Sequence, residues 1–523
     1  MAKLIGKVLD KATTDIFQFT AKSFFNARFV EVNADHISRG AKIIGEISDR
    51  QAINPYFDRP MDVKYVRDED ETIPARTIYV GIVRTLALLQ NKEQHEVPFP
   101  PMPGSNVFEA EEDDIRLALK LGQDGIDIGM LKGYNLPFKI LPDKLLKTHI
   151  SILGQTGSGK SYLAAKLAVE LLKLRSYADV PSNIPVPILF DSSGEFSGRY
   201  DAGEQHSLSR IISTKSVKTH YFPLLNEKYF PLLCNIYDIN EKQASELRMW
   251  LQPIGESTTA PPVKNENQQQ LLIQKDLKDL VNEFNQQKIQ STRQLANKLE
   301  EYIHKHNKYY PSEKLSIPYN IFSKMRELDL KIKKSDDIDI VNEIHSGLIV
   351  DLSEHNNYEE RQVAILLFLR QLFEVAKAQK LGTRMILFID EAHNYVPSVY
   401  KSYCKDELLK IAREGRKYGI TLCLISQRPR WVDPTALSQC GTVFIFKIHN
   451  SDDKKHIFDS ASLPDEFRDI NVAKFKTGEM IITGDVGISP IHCMVSEIDT
   501  EFISKIASKI KDSHIENIKS RLQ

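Results

Sequence analysis

The chain has 523 residues, room for about three to four domains at roughly 150 residues each. Hydrophobic residues make up 41% and charged residues 27%, with 24 Gly and 24 Pro, a balance that excludes collagen-like, disulfide-scaffold and wholly disordered classes. Lys and Arg total 69 against 70 Asp and Glu, a net charge of −1, so any nucleic-acid contact must come from a local basic surface rather than bulk charge.

Residues 1 to about 90 read as short strands between Gly and polar turns: Leu4–Leu9, Ala27–Val32, Lys42–Ile47 and Thr77–Val83. Strands at this spacing predict a small β-barrel or sandwich. The Pro-rich stretch 96–106 is a connector that cannot sit inside a sheet, and a short helix is expected from Glu109 to Leu121. Gly125–Gly129 reads as one more strand of the first unit, before a new domain begins near Leu141.

From His149 onward the grammar changes. Apolar runs at His149–Leu153, Pro187–Asp191, Gly347–Leu352, Met385–Asp390, Thr421–Ser426 and Thr442–Ile448 are separated mostly by helical segments. That alternation is the signature of a mostly parallel α/β sheet. Between about 225 and 340 the sequence turns polar and helical. Its Asn/Gln-rich part, Asn265–Gln290, keeps Leu271, Leu272, Leu277, Leu280, Val281 and Phe284 at helical spacing, so an inserted helical subdomain is expected. Five widely scattered cysteines with no C-x-x-C pair argue against a disulfide framework or structural zinc. The N-terminus lacks the apolar core of a signal peptide and no apolar run approaches eighteen residues, so the expectation is a soluble cytoplasmic protein with no membrane contact.

The strongest chemical signal is Gly154-Gln-Thr-Gly-Ser-Gly-Lys-Ser161, a complete G-x-x-x-x-G-K-S. Backbone amides around Gly154, Gly157, Ser158 and Gly159 cradle phosphates, Lys160 reaches the β/γ oxygens, and Ser161 offers its hydroxyl to Mg²⁺. The following helix points its positive N-terminus at the anion. The second signal is the apolar run Met385–Ile389 ending in Asp390 and Glu391. Downstream of a P-loop, Asp390 suits the Mg²⁺ hydration shell and Glu391 suits a general base. An intervening strand, Gly347–Leu352, makes this layout that of a RecA-type motor rather than a P-loop kinase. Third, Arg413, Arg416 and Lys417 form a basic helix end before Gly419. Gln427 follows the next strand, where it is suited to sensing the γ-phosphate. For Lys417 a helix cap is the sufficient explanation.

Together GQTGSGKS, FDSSGEF (190–196), FIDEAH (388–393) and AREGRKYGI followed by ISQRP (412–429) resemble the HerA branch of the HerA/FtsK DNA-pumping ATPases. The start Ile5–Thr14, the segment Asp124–Gly129 and the ending Thr477–Gly484 resemble that family's barrel and late hairpin. The Ser192-Ser193 pair is a mild departure. The resemblance implies a fold class of α/β: a RecA-like P-loop motor domain with a helical insert, preceded by a small N-terminal β-barrel. The expected boundaries are a barrel at 1–135, the first part of the core at 136–224, the insert at 225–340 and the second part at 341–523.

By the same resemblance, Lys160 and Ser161 belong to the nucleotide loop, Asp390 and Glu391 are the catalytic acids, Gln427 the sensor and Arg416 an arginine finger reaching a neighbour. Asp191 and Glu195 fall beside the nucleotide. It implies ATP and Mg²⁺ as cofactors, a homohexamer with duplex DNA in its pore, and a partner that is either a NurA-like nuclease or a defence effector such as a sirtuin-like NADase. Arg199, Lys401 and Lys405 are candidate pore-loop cations. The rival expectation is a nucleotide-gated hexameric scaffold for an effector, without productive DNA movement. His304, His306, His345 and His355 have no metal-ligand spacing, and Trp431 fits packing or partner contact equally.

Overall fold

A computed structural model of the chain describes residues 3–53, 78–122, 125–177, 183–197, 208–210, 212–216, 234, 236–237, 239–241, 291–306, 312–328, 344, 347–353, 355, 357–379, 382–460, 470–486 and 490–507. These fall into two compact units. One is made of 1–147, 442–445 and 469–497, the other of 148–441, 446–468 and 498–523.

The first unit opens with seven antiparallel strands: β1 (Leu4–Val8), β2 (Ile16–Ala21), β3 (Phe29–Asn33), β4 (Lys42–Ile53), β5 (Ile78–Gln90), β6 (Glu93–His95) and β7 (Asn106–Glu109). The order β2-β1-β7-β3-β4-β5 closes on itself because β2 also pairs with β5, Ile16 opposite Arg84 through Ala21 opposite Tyr79. The result is the predicted barrel, of six strands. Phe17 and Phe19 from β2, Val30 and Val32 from β3, Val83 and Val107 are fully buried inside it, the period-2 positions that a closed sheet turns inward. Gly81 has no side chain for a concrete reason: a Cβ there would lie 2.2 Å from the Phe19 ring.

Two of the six barrel strands are not among those named from the sequence. The first is β2, although IFQFTA alternates. β7 occupies the end of the Pro-rich connector and the expected start of the helix. It is held there by slotting between β1 and β3, a long-range pairing with no local signature. The helix is therefore shorter than expected, Glu112–Ala118, with Glu112, Asp113 and Asp114 in its first turn, where carboxylates favour the positive end of the helix dipole. The hairpin β8 (Ile126–Leu131) and β9 (Pro137–Ile140) follows.

The second unit is built on β10 (His149–Leu153), β11 (Val186–Asp191), β12 (Ser213–Ser216), β13 (Leu348–Asp351), β14 (Met385–Ile389) and β15 (Ile420–Ser426). All six are parallel in the order β12-β13-β11-β14-β15-β10. Every residue of β10, β11, β13, β14 and β15 is buried. Helices on both faces explain why these strands read as continuous apolar runs instead of alternating. The long helices Lys160–Tyr177 and Tyr358–Lys377 each contribute a buried stripe, with Leu163, Ala164, Leu167 and Leu171 on the first and Val363, Ile365, Leu369 and Leu372 on the second. This is the RecA-like P-loop core that the sequence predicts. Within the insert range, helices Thr292–His306 and Ser312–Glu327 pair through Thr292 Oγ1 to Met325 O (3.1 Å) and Glu300 to Arg326 (2.5 Å). The Asn/Gln-rich stretch 265–290 and Arg199 lie outside the described residues.

The chain returns to the first unit with β16 (Cys440–Ile445), β17 (Glu479–Gly484) and β18 (Ile491–Val495). These are antiparallel, and β18 pairs with β8. The late hairpin thus joins an N-terminal strand some 350 residues away, and buried Glu479 knits it together by accepting from His492 Nε2 (2.7 Å) and from Lys132. No described helix is long and apolar enough to cross a membrane.

His149 opens β10 and is buried. Its Nδ1 accepts from Leu422 N (2.9 Å) and its Nε2 donates to Ala412 O (2.8 Å), which only the neutral ring can do. Burial foremost, with the nearby charge of Arg416, pushes it down to about 4. A histidine whose folded value is depressed costs stability once the unfolded ring takes a proton. The penalty begins as pH falls below about 6.5 and is complete near 4, where it reaches on the order of 3 kcal/mol. Thermal unfolding midpoints measured between pH 7.5 and 4.5 should fall through this window. His149→Gln, which retains one donor and one acceptor, should lower the midpoint at pH 7.5 and flatten the decline below 6.5. An unchanged slope in that variant would assign the acid sensitivity elsewhere.

Candidate nucleotide-hydrolysis site

The C-terminal ends of neighbouring parallel strands meet at one edge of the second unit. β10 ends in the P-loop, β15 beside it ends at Gln427, β14 next ends at Asp390 and Glu391, and β11 after that ends at Asp191. Residues far apart in sequence are thereby side by side, at the end of an open α/β sheet where ligands bind.

The P-loop wraps tightly. Gly157 and Gly159 have φ of 71° and 111°, conformations that side chains resist. A Cβ on Gly154 would approach Phe446 Cβ at 2.6 Å. Gly154 N donates to Ser426 O (3.2 Å) and Gln155 N to Lys447 O (2.9 Å), so the loop is anchored to the end of β15 and to the segment at Lys447. Ser158 Oγ and Lys160 Nζ both donate to Gln155 O, at 2.7 and 2.9 Å. The Lys160 ammonium is buried, and that burial lowers its affinity for protons, while the charges of Glu391, Asp390 and Glu195 oppose the shift. Ser161, half-buried, lies in the first turn of the helix Lys160–Tyr177.

The acidic side is equally constrained. Asp390 is buried, and burial together with the charges of Glu391, Glu195 and Asp191 pushes its carboxyl up to about 8. Burial likewise raises Glu391. Glu391 adopts a left-handed backbone, φ 51° and ψ 45°, a strained state for a non-glycine that clusters at functional sites. Its Oε1 accepts from Gln427 Nε2 (2.7 Å), and the Gln427 carbonyl accepts from the hydroxyl of Thr156. An unbroken chain therefore runs from the P-loop through Gln427 to Glu391.

The other oxygen, Oε2, is buried without a hydrogen-bond partner. His393 Nδ1 stands 3.3 Å from it, yet burial foremost pushes that ring down to about 4. Ser426 Oγ accepts from Arg428 N and lies 3.2 Å from His393 Nδ1. Nδ1 therefore faces both the Ser426 hydroxyl and the Glu391 carboxylate, whose Oε2 makes no hydrogen bond.

Asp191 and Glu195 differ. Asp191 is fully buried, and its two oxygens accept from Gly194 N (2.8 Å) and Ser197 N (2.7 Å), so it shapes the FDSSGEF loop. Glu195 is exposed at the tip of that loop, its charge felt by Lys160, Asp390 and Glu391. Arg416 is not brought to this edge. It is exposed in the 3₁₀ turn Gly415–Tyr418 just ahead of β15, near the start of β10, since its charge bears on His149. Five strand residues at about 3.3 Å each separate that end of β10 from the P-loop. Among the described residues the Arg416 side chain makes no hydrogen bond or ion pair, while its carbonyl accepts from Gly419 N (3.1 Å). Thr156 and Ser426 complete the site without having been singled out for it, while His393, for which the sequence leaves orienting Glu391 and a structural role equally open, stands beside Glu391: Thr156 fills an unspecified position of the loop motif, and nothing in the sequence says which side chain its hydroxyl meets.

Residues 126–372 match the family described as the central domain of helicase HerA. The chain is 25% identical over 526 residues to a probable helicase of Methanocaldococcus jannaschii, covering 96% of this chain and 92% of that protein. It is also 25% identical over 508 residues to the DNA double-strand break repair helicase HerA of Saccharolobus solfataricus, covering 92% and 90%. The chain is thus similar to HerA-type helicases along nearly its whole length. Among solved structures it is similar to VirB4 of Thermoanaerobacter pseudethanolicus, with a TM-score of 0.44 and 15% identity over 73% of this chain and 98% of that one. The family match takes in the P-loop and the FDSSGEF loop, while the Asp390–Glu391 strand end lies beyond it, inside the stretch shared with the two whole-length relatives.

Glu391 Oε2 is buried without a hydrogen bond of its own, and the need for its carboxylate can be tested directly. Glu391→Gln keeps the shape and one acceptor but no basic carboxylate. Phosphate release should fall by about 10²–10⁴-fold, while titration with a fluorescent ATP analogue shows affinity within a few-fold of the parent. Hydrolysis near the parental rate would remove Glu391 from the role of base.

Proposed function

We propose that this chain is a HerA-type, ATP-dependent double-stranded DNA translocase or helicase that works as a ring of identical subunits. The observation that carries the ATPase reading is the chain from Thr156 through Gln427 to Glu391, which ties the loop that would hold phosphates to the group that would activate water. The relatives named as DNA double-strand break repair helicases support duplex DNA as the track.

In this mechanism the P-loop amides and Lys160 bind the β- and γ-phosphates. Glu391 Oε2 accepts the proton of the attacking water, and Gln427 holds the carboxylate in position through Oε1. The oxygen donors Ser161 and Asp390 fit Mg²⁺, which takes one or two protein ligands plus substrate phosphates rather than a full protein cage. The mutually repelling carboxylates of Asp390, Glu391, Glu195 and Asp191, with Asp390 and Asp191 buried, are a setting that positive charge stabilises. When bound, the ion would neutralise charge developing on the phosphates. Asp191 acts at one remove, by fixing the loop that carries Glu195.

Arg416 is proposed as a finger for the neighbouring subunit's nucleotide. Its position at the opposite end of the strands from its own P-loop, and its exposed guanidinium, support action across a boundary. Hydrolysis around a ring of six would then be coupled to movement along the DNA backbone, with no base readout needed. A nuclease of the NurA kind or a defence effector is the partner proposed for the product of that movement.

Two measurements test this. Linear duplex DNA added to purified protein with Mg²⁺-ATP should raise the hydrolysis rate several-fold, and a rate indifferent to DNA would favour the effector scaffold instead. Arg416→Ala should fold and bind ATP yet hydrolyse it at least about a hundredfold more slowly, within the range of roughly 10³–10⁵ for fingers. Loss of a helix-end cation alone costs about 1 kcal/mol or less. Mixing Arg416→Ala with Lys160→Ala subunits should restore part of the activity, because a sound loop can then face a sound finger. No recovery despite confirmed subunit exchange would place the finger in its own chain.

A further inference from the structure

The two loops that carry Glu391 and Gln427 continue beyond the site and meet again. Ser398 N donates to Trp431 O (2.8 Å), Ser398 Oγ to Arg430 O (3.2 Å), and Asp433 N to Val396 O (2.8 Å). Pro397 and Val432 form an isolated antiparallel bridge. This clasp holds Tyr400 flat against Trp431, ring centroids 5.2 Å apart and planes 22° from parallel, while the Arg430 guanidinium lies 5.7 Å from the Trp431 ring centre. Tyr400 remains 54% exposed and Val399 79%. With one Tyr400 face on Trp431, the exposed area lies on the outer face and rim. Arg430 beside the stack and Lys401, next to Tyr400 in the chain, are exposed. Arg430 shares its charge with Asp452 at 3.3 Å, a pair whose carboxylate is 70% exposed, so it holds little energy in water and yields easily to a phosphate.

An open aromatic face flanked by cations is the arrangement that binds unpaired nucleotides: the base stacks on the ring and the backbone runs along the charges. A duplex offers no such face, because its bases are already stacked on one another. An apolar protein segment would call for a concave, cation-poor surface, which a flat stack carrying Arg430 and followed in the chain by Lys401 does not supply. We infer that Tyr400, Trp431 and Arg430 form a stacking platform for a single unpaired base of a separated strand. This rests on the DNA-motor reading and extends it, since engagement of the platform would be felt through the same two loops at Glu391 and Gln427.

The chain has two tryptophans, Trp250 and Trp431, so Trp250→Phe leaves Trp431 as the reporter. In that background a 20-nucleotide oligo(dT) should quench fluorescence on binding, whereas closed circular duplex, which has neither ends nor unpaired bases, should bind with little quenching. Tyr400→Leu, apolar but without a ring, should weaken oligo(dT) binding by about 5- to 100-fold and leave circular-duplex affinity within twofold. Tyr400→Phe should bind like the parent. Equal oligo(dT) affinity in the Leu and Phe variants, or saturable binding without quenching, overturns the platform. A change in oligomeric state in Tyr400→Leu by sedimentation also overturns it and makes the stack a subunit contact. Failure of the parent to bind either DNA would instead strike the DNA-motor reading itself.

Discussion

The hydrogen bond from Gln427 Nε2 to Glu391 Oε1, 2.7 Å long, joins the ends of two adjacent parallel strands, and the chemistry of the second unit is arranged around it. Its geometry depends on β15 lying between β10 and β14. That order places a glutamine within reach of the P-loop hydroxyl of Thr156 on one side and of the glutamate on the other. A one-residue slip in either strand would turn Gln427 or Glu391 to the opposite face. The complete burial of β10, β14 and β15 makes such a slip expensive, because it would exchange packed apolar side chains on both faces. Packing in the sheet therefore sets the precision of the site.

The same burial generates the site's electrostatics. Asp390 sits in the sheet rather than on it, next to three other carboxylates, so its ionised form is disfavoured by desolvation and by repulsion together. Lys160 opposes that charge but is itself desolvated. A constellation of this kind is poised rather than satisfied, and the left-handed backbone of Glu391 adds local strain in the same place. Two other buried polar groups of the second unit are fully paired: His149 uses both ring nitrogens, and Asp191 spends both oxygens on its own loop. Tension concentrated at the strand ends and relieved around them is what a site awaiting a charged substrate looks like.

Much of this was legible from the residues alone. The P-loop pattern specifies backbone shape through its glycines and charge through Lys160, so Gly154–Ser161 identifies a phosphate loop wherever a strand precedes it and a helix follows. The apolar runs of β10, β11, β13, β14 and β15 announce buried parallel strands because no alternation breaks them. Harder to read was β7, whose four residues become a strand only because β1 and β3 leave a gap that Val107 fills. Short edge-to-edge insertions of that kind carry no local propensity signal, and the neighbouring prolines point away from them.

The sequence by itself determined the kinds of groups present: a phosphate loop, two acids at a strand end, a glutamine and an arginine flanking the next strand, and a barrel ahead of them. These follow from local rules of period, turn chemistry and charge. Only the tertiary structure decided which groups touch. The order of strands in a parallel sheet is chosen by the packing of whole faces, not by any one segment. That choice brought Thr156, Gln427 and Glu391 into one chain, left Oε2 of Glu391 open, and held Arg416 at the far end of the strands. It also clasped Tyr400 to Trp431, two residues that no sequence spacing relates.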